Sequence, residues 1–99
     1  MYNILVNINE KGRGFFMMKL ESKTVGKVKV SIIGNELLIL DIIVPVKRYV
    51  YTIGSRLLQE ILEYGRMHEL KIITVSRFVQ AQFNSNPVSY TEVWEKHSV

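Results

Sequence analysis

Few side chains in this sequence could do chemistry, and they are scattered. His68 and His97 are the only histidines, and neither has a carboxylate at a triad-like or zincin-like spacing. With no cysteine, a disulfide framework, a thiolate metal site and a cysteine nucleophile are all excluded, and two distant histidines make no metal set. Asp41 interrupts the apolar run 37–44, "LLILDIIV". A carboxylate among Leu and Ile is costly to bury, so it sits at a strand edge, pairs with a cation, or is positioned for proton transfer or substrate orientation.

A second candidate is the stretch 44–60, "VPVKRYVYTIGSRLLQE", which passes from an apolar strand pattern through two cations and two tyrosines into an amphipathic helix. The first N–H groups of a helix are unpaired and its dipole is positive there, so phosphate oxygens are stabilised. Lys47, Arg48 and Arg56 add charge to that end. No Walker-type loop and no Gly-x-Gly-x-x-Gly fingerprint accompanies it.

The elements that must position these groups divide the chain in two. From 2 to 44 the signals are for strands, "YNILVNI", "GFFMMKLE", "VGKVKVSII" and "ELLILDIIV", separated by "NEKGRG", "SKT" and "GN". This is the pattern of an antiparallel meander. Val28, Val30 and Ile32 alternate with Lys27, Lys29 and Ser31, giving one dry and one wet face, and Gly34-Asn35 suits a tight hairpin. The fourth segment is apolar on both faces and reads as a central, covered strand.

From about 52 the period becomes helical, with Ile53, Leu57, Leu58, Ile61 and Leu62 on one stripe. His68 falls near that helix's end, where the dipole favours a cation. Then "KIITV" (71–75) reads as a buried strand, 77–84 as a short helix, and 87–97 as a last helical turn or two opened by Pro87. A single mixed α/β domain over 1–99 is expected, with one strand–helix–strand crossover of right-handed sense.

Ninety-nine residues, 47% of them hydrophobic, suffice for one small core. No run approaches the roughly 20 apolar residues that cross a bilayer, and the start lacks the features of a signal peptide, so a soluble, cytoplasmic protein is expected. The net charge of +4 resides in residues 1–34, where six basic residues face two acidic ones. Such an end could attract a phosphate-bearing ligand, an acidic partner or nucleic acid, and equally could be the wet face of a strand. "FFMM" (15–18) puts apolar side chains on both faces of one strand, so one face needs cover from a helix or from a second subunit in a homodimer.

The order "LDIIVP" (40–45), "YVYTIGSRLLQEILEYGRMHELKII" (49–73), "SRFV" (76–79) and "NP" (86–87) resembles the GNAT acyltransferase superfamily, in particular its small stand-alone N-acetyltransferases. The resemblance covers most of the chain from about residue 10. It implies the GNAT fold, acetyl-CoA or CoA as cofactor, and a small-molecule or protein amine as acetyl acceptor. Carried over by position, Ile42, Ile43 and Val44 face the pantetheine arm. Tyr49, Val50, Tyr51, Thr52, Ile53, Gly54 and Ser55 form the pyrophosphate loop.

Departures from the superfamily pattern are specific. Where its loop has the form "RGQGIG", this chain has "YVYTIG", so Val50 and Thr52 replace glycines and only Gly54 remains. A β-branched residue resists the conformations that glycine allows there, and Thr52 could cap the helix with its own hydroxyl. The subgroup's strand histidine corresponds to Asp41, its cysteine to Ser76 and its His-Pro histidine to Asn86. Direct attack of an amine on the thioester is then the remaining route, with Asp41 as base and Ser76 or Tyr90 as a hydroxyl near the leaving thiol. Ser76 as a helix cap and Tyr90 packed on Trp94 are the alternatives. Two further readings stay open: a GNAT fold without catalysis that serves as a binding or assembly module, and a basic nucleic-acid-binding domain, for which no motif is present.

Overall fold

The computed structural model describes residues 2–74. The expected strand at 71–75 is seen as far as Thr74, and the helices expected at 77–84 and 87–97 lie outside the described residues, as do Ser76, Asn86, Tyr90, Trp94 and His97.

Five strands form one sheet: β1 (Tyr2–Ile8), β2 (Arg13–Leu20), β3 (Lys23–Ile33), β4 (Glu36–Ile43) and β5 (Lys71–Thr74). Their spatial order is the order of the chain, β1-β2-β3-β4-β5. The first four are antiparallel, and β5 joins β4 in parallel after the helix α1 (Val50–Met67). The fold is a mixed α+β meander with one crossover.

Each turn has a local cause. Between β1 and β2 the Asn9 side chain accepts the N–H groups of Lys11 and Arg13 at 2.9 and 3.1 Å, and Gly12 takes φ +79°. Between β3 and β4 only Gly34 of the Gly-Asn pair uses positive φ (60°), the arrangement of a type II′ turn. The β2–β3 turn is made by Glu21 and Ser22, at φ 49° and 73°, so both central residues of a type I′ turn lack the residue types that adopt it cheaply.

Helix α1 covers one face of the sheet. Its buried residues Leu57, Leu58, Ile61 and Leu62 meet Phe16 and Met18 of β2, Val28 and Val30 of β3, Leu37 and Ile39 of β4, and Ile72 of β5. This stripe is the one the 3.6-residue period predicts, and truncating a fully buried leucine such as Leu57 costs about 2–5 kcal/mol. The close approach needs small residues: a Cβ on Gly26 of β3 would come within 2.5 Å of Ile53 Cγ2, and one on Gly65 within 2.8 Å of Ile72 Cδ1. Phe16 also meets Tyr64 edge-on, ring centroids 5.4 Å apart.

The helix thus provides the cover that Phe16 and Met18 require. Phe15 and Met17 point to the opposite face, where they are half-buried, Phe15 beneath the Lys27 ammonium at 5.0 Å. The helix ends in a Schellman arrangement, with Leu70 N–H donating to Gly65 O (2.8 Å) and Glu69 N–H to Arg66 O (3.4 Å), and with Glu69 at φ 55°. His68 stands at this end, as its expected role requires, with its ring 4.1 Å from that of Tyr64.

Candidate functional site

The middle of β4 is irregular. Lys29 of β3 pairs with Asp41 and Val30 with Ile39, so Leu40 is an extra residue, a β-bulge. Pairing with β5 runs from Glu36 to Ile39, and Leu40–Ile43 have no β5 partner among the described residues.

Asp41 follows the bulge and is exposed, opposite Lys29 on the face away from α1. The burial cost that a carboxylate within this run threatens does not arise, because the bulge turns it to water. Its Oδ1 accepts the backbone N–H of Ile42 at 2.9 Å. Ile42 packs against the core beneath α1, and Val44 lies over Gly26 on the same side, whereas Ile43 is exposed.

The chain enters α1 differently from the expectation of a start near 52. A single 3-10 turn, Lys47–Tyr49, precedes the helix: Tyr49 N–H donates to Val46 O at 3.0 Å and Val50 N–H to Lys47 O. Helical geometry begins at Val50, so Thr52 lies inside the first turn and is not the cap. The position before the helix, Tyr49, makes no side-chain cap bond. A β-branched residue is tolerated at Val50 because the backbone there is ordinary right-handed helix, φ −59°.

This places the positive end of the helix earlier than Tyr49–Ser55. The amides ahead of the first turn bond are those of Lys47 and Arg48, both side chains are cationic, and no acidic residue lies in the first turn. Arg48 lies over the Tyr49 ring at 4.9 Å. Tyr51 is exposed at 63%, Gly54 is buried within the helix, and Ser55 is half-buried.

Asp41, Ile42, Ile43 and Val44 are thus continuous with the Lys47–Arg48 turn along one segment of chain, while Ser76 and Tyr90 lie outside the described residues. Among the described residues, no three His, Asp or Glu side chains gather in a way that could hold a metal, and no helix is long and apolar enough to cross a membrane.

One feature escapes sequence reasoning. A groove of about 620 Å³ opens beside the start of α1, between Tyr49, Thr52, Ile53 and Arg56 on the helix side and the β2–β3 hairpin opposite. The spacing of those four residues puts them on one helical stripe, but the partners come from Tyr2, Met18, Leu20 and residues 23–25, far away in the chain.

No protein-family model matches this sequence, and no curated protein sequence does. Among solved structures, the chain is similar to a Staphylococcus aureus protein described as a "GCN5-like putative N-acetyltransferase", with a TM-score of 0.63 over 97% of this chain and 92% of that one, at 20% identity. The fold is of the GNAT type. Of the residues that the resemblance assigned to the cofactor, Ile42 and Ile43 end β4 and Val44 follows it, while Tyr49 closes the 3-10 turn and Val50–Ser55 lie in α1. The basic residues of the first third do not share one surface of this fold: Lys23 lines the groove beside α1, whereas Lys27 and Lys29 flank buried Val28 on the opposite face.

Proposed function

We propose that this protein is a small acetyl-CoA-dependent N-acetyltransferase of the GNAT type, with an amine as acceptor. The observation that carries the reading is the bulge at Leu40 in β4, the strand beside the parallel β5 within a GNAT-type fold. On this reading an extended ligand arm would lie along Leu40–Ile43, the stretch that the bulge opens. The residues fit the cofactor with one displacement: Lys47 and Arg48, rather than Tyr49–Ser55, supply amides and charge for a pyrophosphate.

Acetyl-CoA supplies an activated acetyl thioester when bound. Ile42, Ile43 and Val44 would hold its arm. Asp41 Oδ1 already holds the Ile42 N–H, which leaves Oδ2 to receive a hydrogen bond from an acceptor amine and to take its proton. Ser76 and Tyr90 remain the candidates for a hydroxyl near the leaving thiol. A cytoplasmic location accords with this use of a metabolic cofactor.

Calorimetry and thermal denaturation with acetyl-CoA and CoA test the reading. Saturable heat and a raised Tm are expected, about 2.7 kcal/mol of added stability at a hundred times Kd. No heat and no Tm shift at millimolar ligand would overturn it.

A second reading, a GNAT-type module that binds or assembles without catalysis, is favoured by the hydrogen bonds of the same segment. The amides of Tyr49 and Val50 are used by the 3-10 turn, and that of Ile42 by Asp41. On this reading the titration is silent while the protein remains folded.

A further inference from the structure

The groove beside α1 adjoins the segment just described through Pro45, Val46 and Tyr49, but none of Ile42, Ile43 and Val44 lines it. Its surface is almost entirely apolar, and four of its side chains are left open to water in a chain this small, Tyr2 (38%), Leu20 (45%), Val46 (48%) and Tyr49 (43%). A concave apolar wall of this size, with few polar groups, has the character of a small-molecule site.

Its charge is one-sided. Lys23 and Arg56 line the groove, and no Asp or Glu is among the described residues that do. Neither cation has an ion-pair partner among the described residues. Arg56 lies over the Tyr2 ring, its Cζ 5.0 Å from the centroid, a cation–π contact that does not use up its N–H donors. The hairpin that carries Leu20 and Lys23 to the rim turns through Glu21 and Ser22, both at positive φ, and backbone strain of this kind concentrates at ligand clamps.

We propose that this groove binds a straight-chain aliphatic monocarboxylate, its chain against Leu20, Val25 and Val46 and its carboxylate at the cationic rim of Lys23 and Arg56. The apolar wall selects the chain and desolvates it. The planar Arg56 fork and the Lys23 ammonium select the head, and an alkylammonium of equal length meets two like charges instead.

The test is an amide chemical-shift titration of the full chain with decanoate, kept below its micelle concentration, beside decylamine, anionic lipid vesicles and acetyl-CoA. Saturable shifts at Leu20, Lys23, Val25, Val46 and Arg56 are expected with decanoate and none with decylamine. R56Q should weaken decanoate about tenfold, as loss of one charge-assisted contact implies. L20E, at an exposed position, should weaken it at least as much with the fold intact. Acetyl-CoA should leave decanoate affinity unchanged, whether or not it binds. The proposal is overturned by no response at millimolar decanoate, by equal binding of decylamine, or by binding to vesicles alone. It is also overturned by displacement of decanoate by acetyl-CoA, or by shifts that follow protein concentration and so assign the groove to a second copy.

Discussion

Asp41 turns its carboxylate onto the backbone of its own neighbour, holding the Ile42 N–H at 2.9 Å directly after the bulge in β4. One side chain therefore combines an exposed carboxylate with control of its neighbour's backbone donor. Asp41→Asn keeps an oxygen for the Ile42 amide and removes the charge. Under the acetyltransferase reading, acetyl-CoA affinity should stay within about twofold while turnover falls by about 10²–10⁴, the contribution of a positioned proton acceptor. Isothermal titration and a thiol-release assay separate the two quantities.

Charge at the entry to α1 should be felt by the cofactor. Replacing Lys47 and Arg48 together by Gln should weaken CoA by about tenfold or more and flatten the salt dependence of its binding, because both cations precede a helix start that has no acid. Calorimetry at two ionic strengths checks this.

Gly26 is the floor on which the helix entry rests. Gly26→Ala places a methyl against the branched Ile53 side chain and should destabilise the fold by about 1–3 kcal/mol, as overpacking does. Urea denaturation measures the loss, and G26A paired with I53A should recover part of it.

Two non-glycine residues in left-handed backbone predict gains. Glu21→Asn with Ser22→Gly installs the residues a type I′ turn prefers and should add about 1–2 kcal/mol. Thermal denaturation reads the gain as a higher Tm.

Glu69 closes the Schellman end of α1 at φ 55°, where glycine is the usual occupant. Glu69→Gly should add about 0.5–1 kcal/mol, and Glu69→Val should cost more than Glu69→Gly gains. Denaturant midpoints for the two variants test the sign.

What the residue order reveals depends on whether a feature is local. Alternation in β3 shows in Lys27, Val28, Lys29 and Val30, and the stripe from Leu57 to Leu62 shows in its spacing, because each is a property of one element. A bulge is a mismatch between two strands, so Leu40 reads as one more apolar residue in a run, and Asp41 then reads as a burial problem that the bulge has already removed. The helix start is misplaced for a similar reason. Thr52 has the chemistry of a cap, but the 3-10 turn at Lys47–Tyr49 starts the winding earlier, and that turn leaves no signature in residue type. The groove joins Tyr2, Lys23 and Arg56 across most of the described chain, which no spacing rule can see.

Because the sheet places its strands in chain order, the meander of β1 to β4 closes only short loops, whereas β5 reaches its place only once α1 has been laid down between. Loop-closure entropy makes the parallel ladder the late and expensive contact, and local hairpins the early ones. Amides of the β2–β3 hairpin should therefore exchange with solvent only on global unfolding, while those pairing Leu37–Ile39 with β5 open in a separate, cheaper excursion. The strand bearing Asp41 would then belong to two cooperative units at once, anchored to the meander on one side and released on the other.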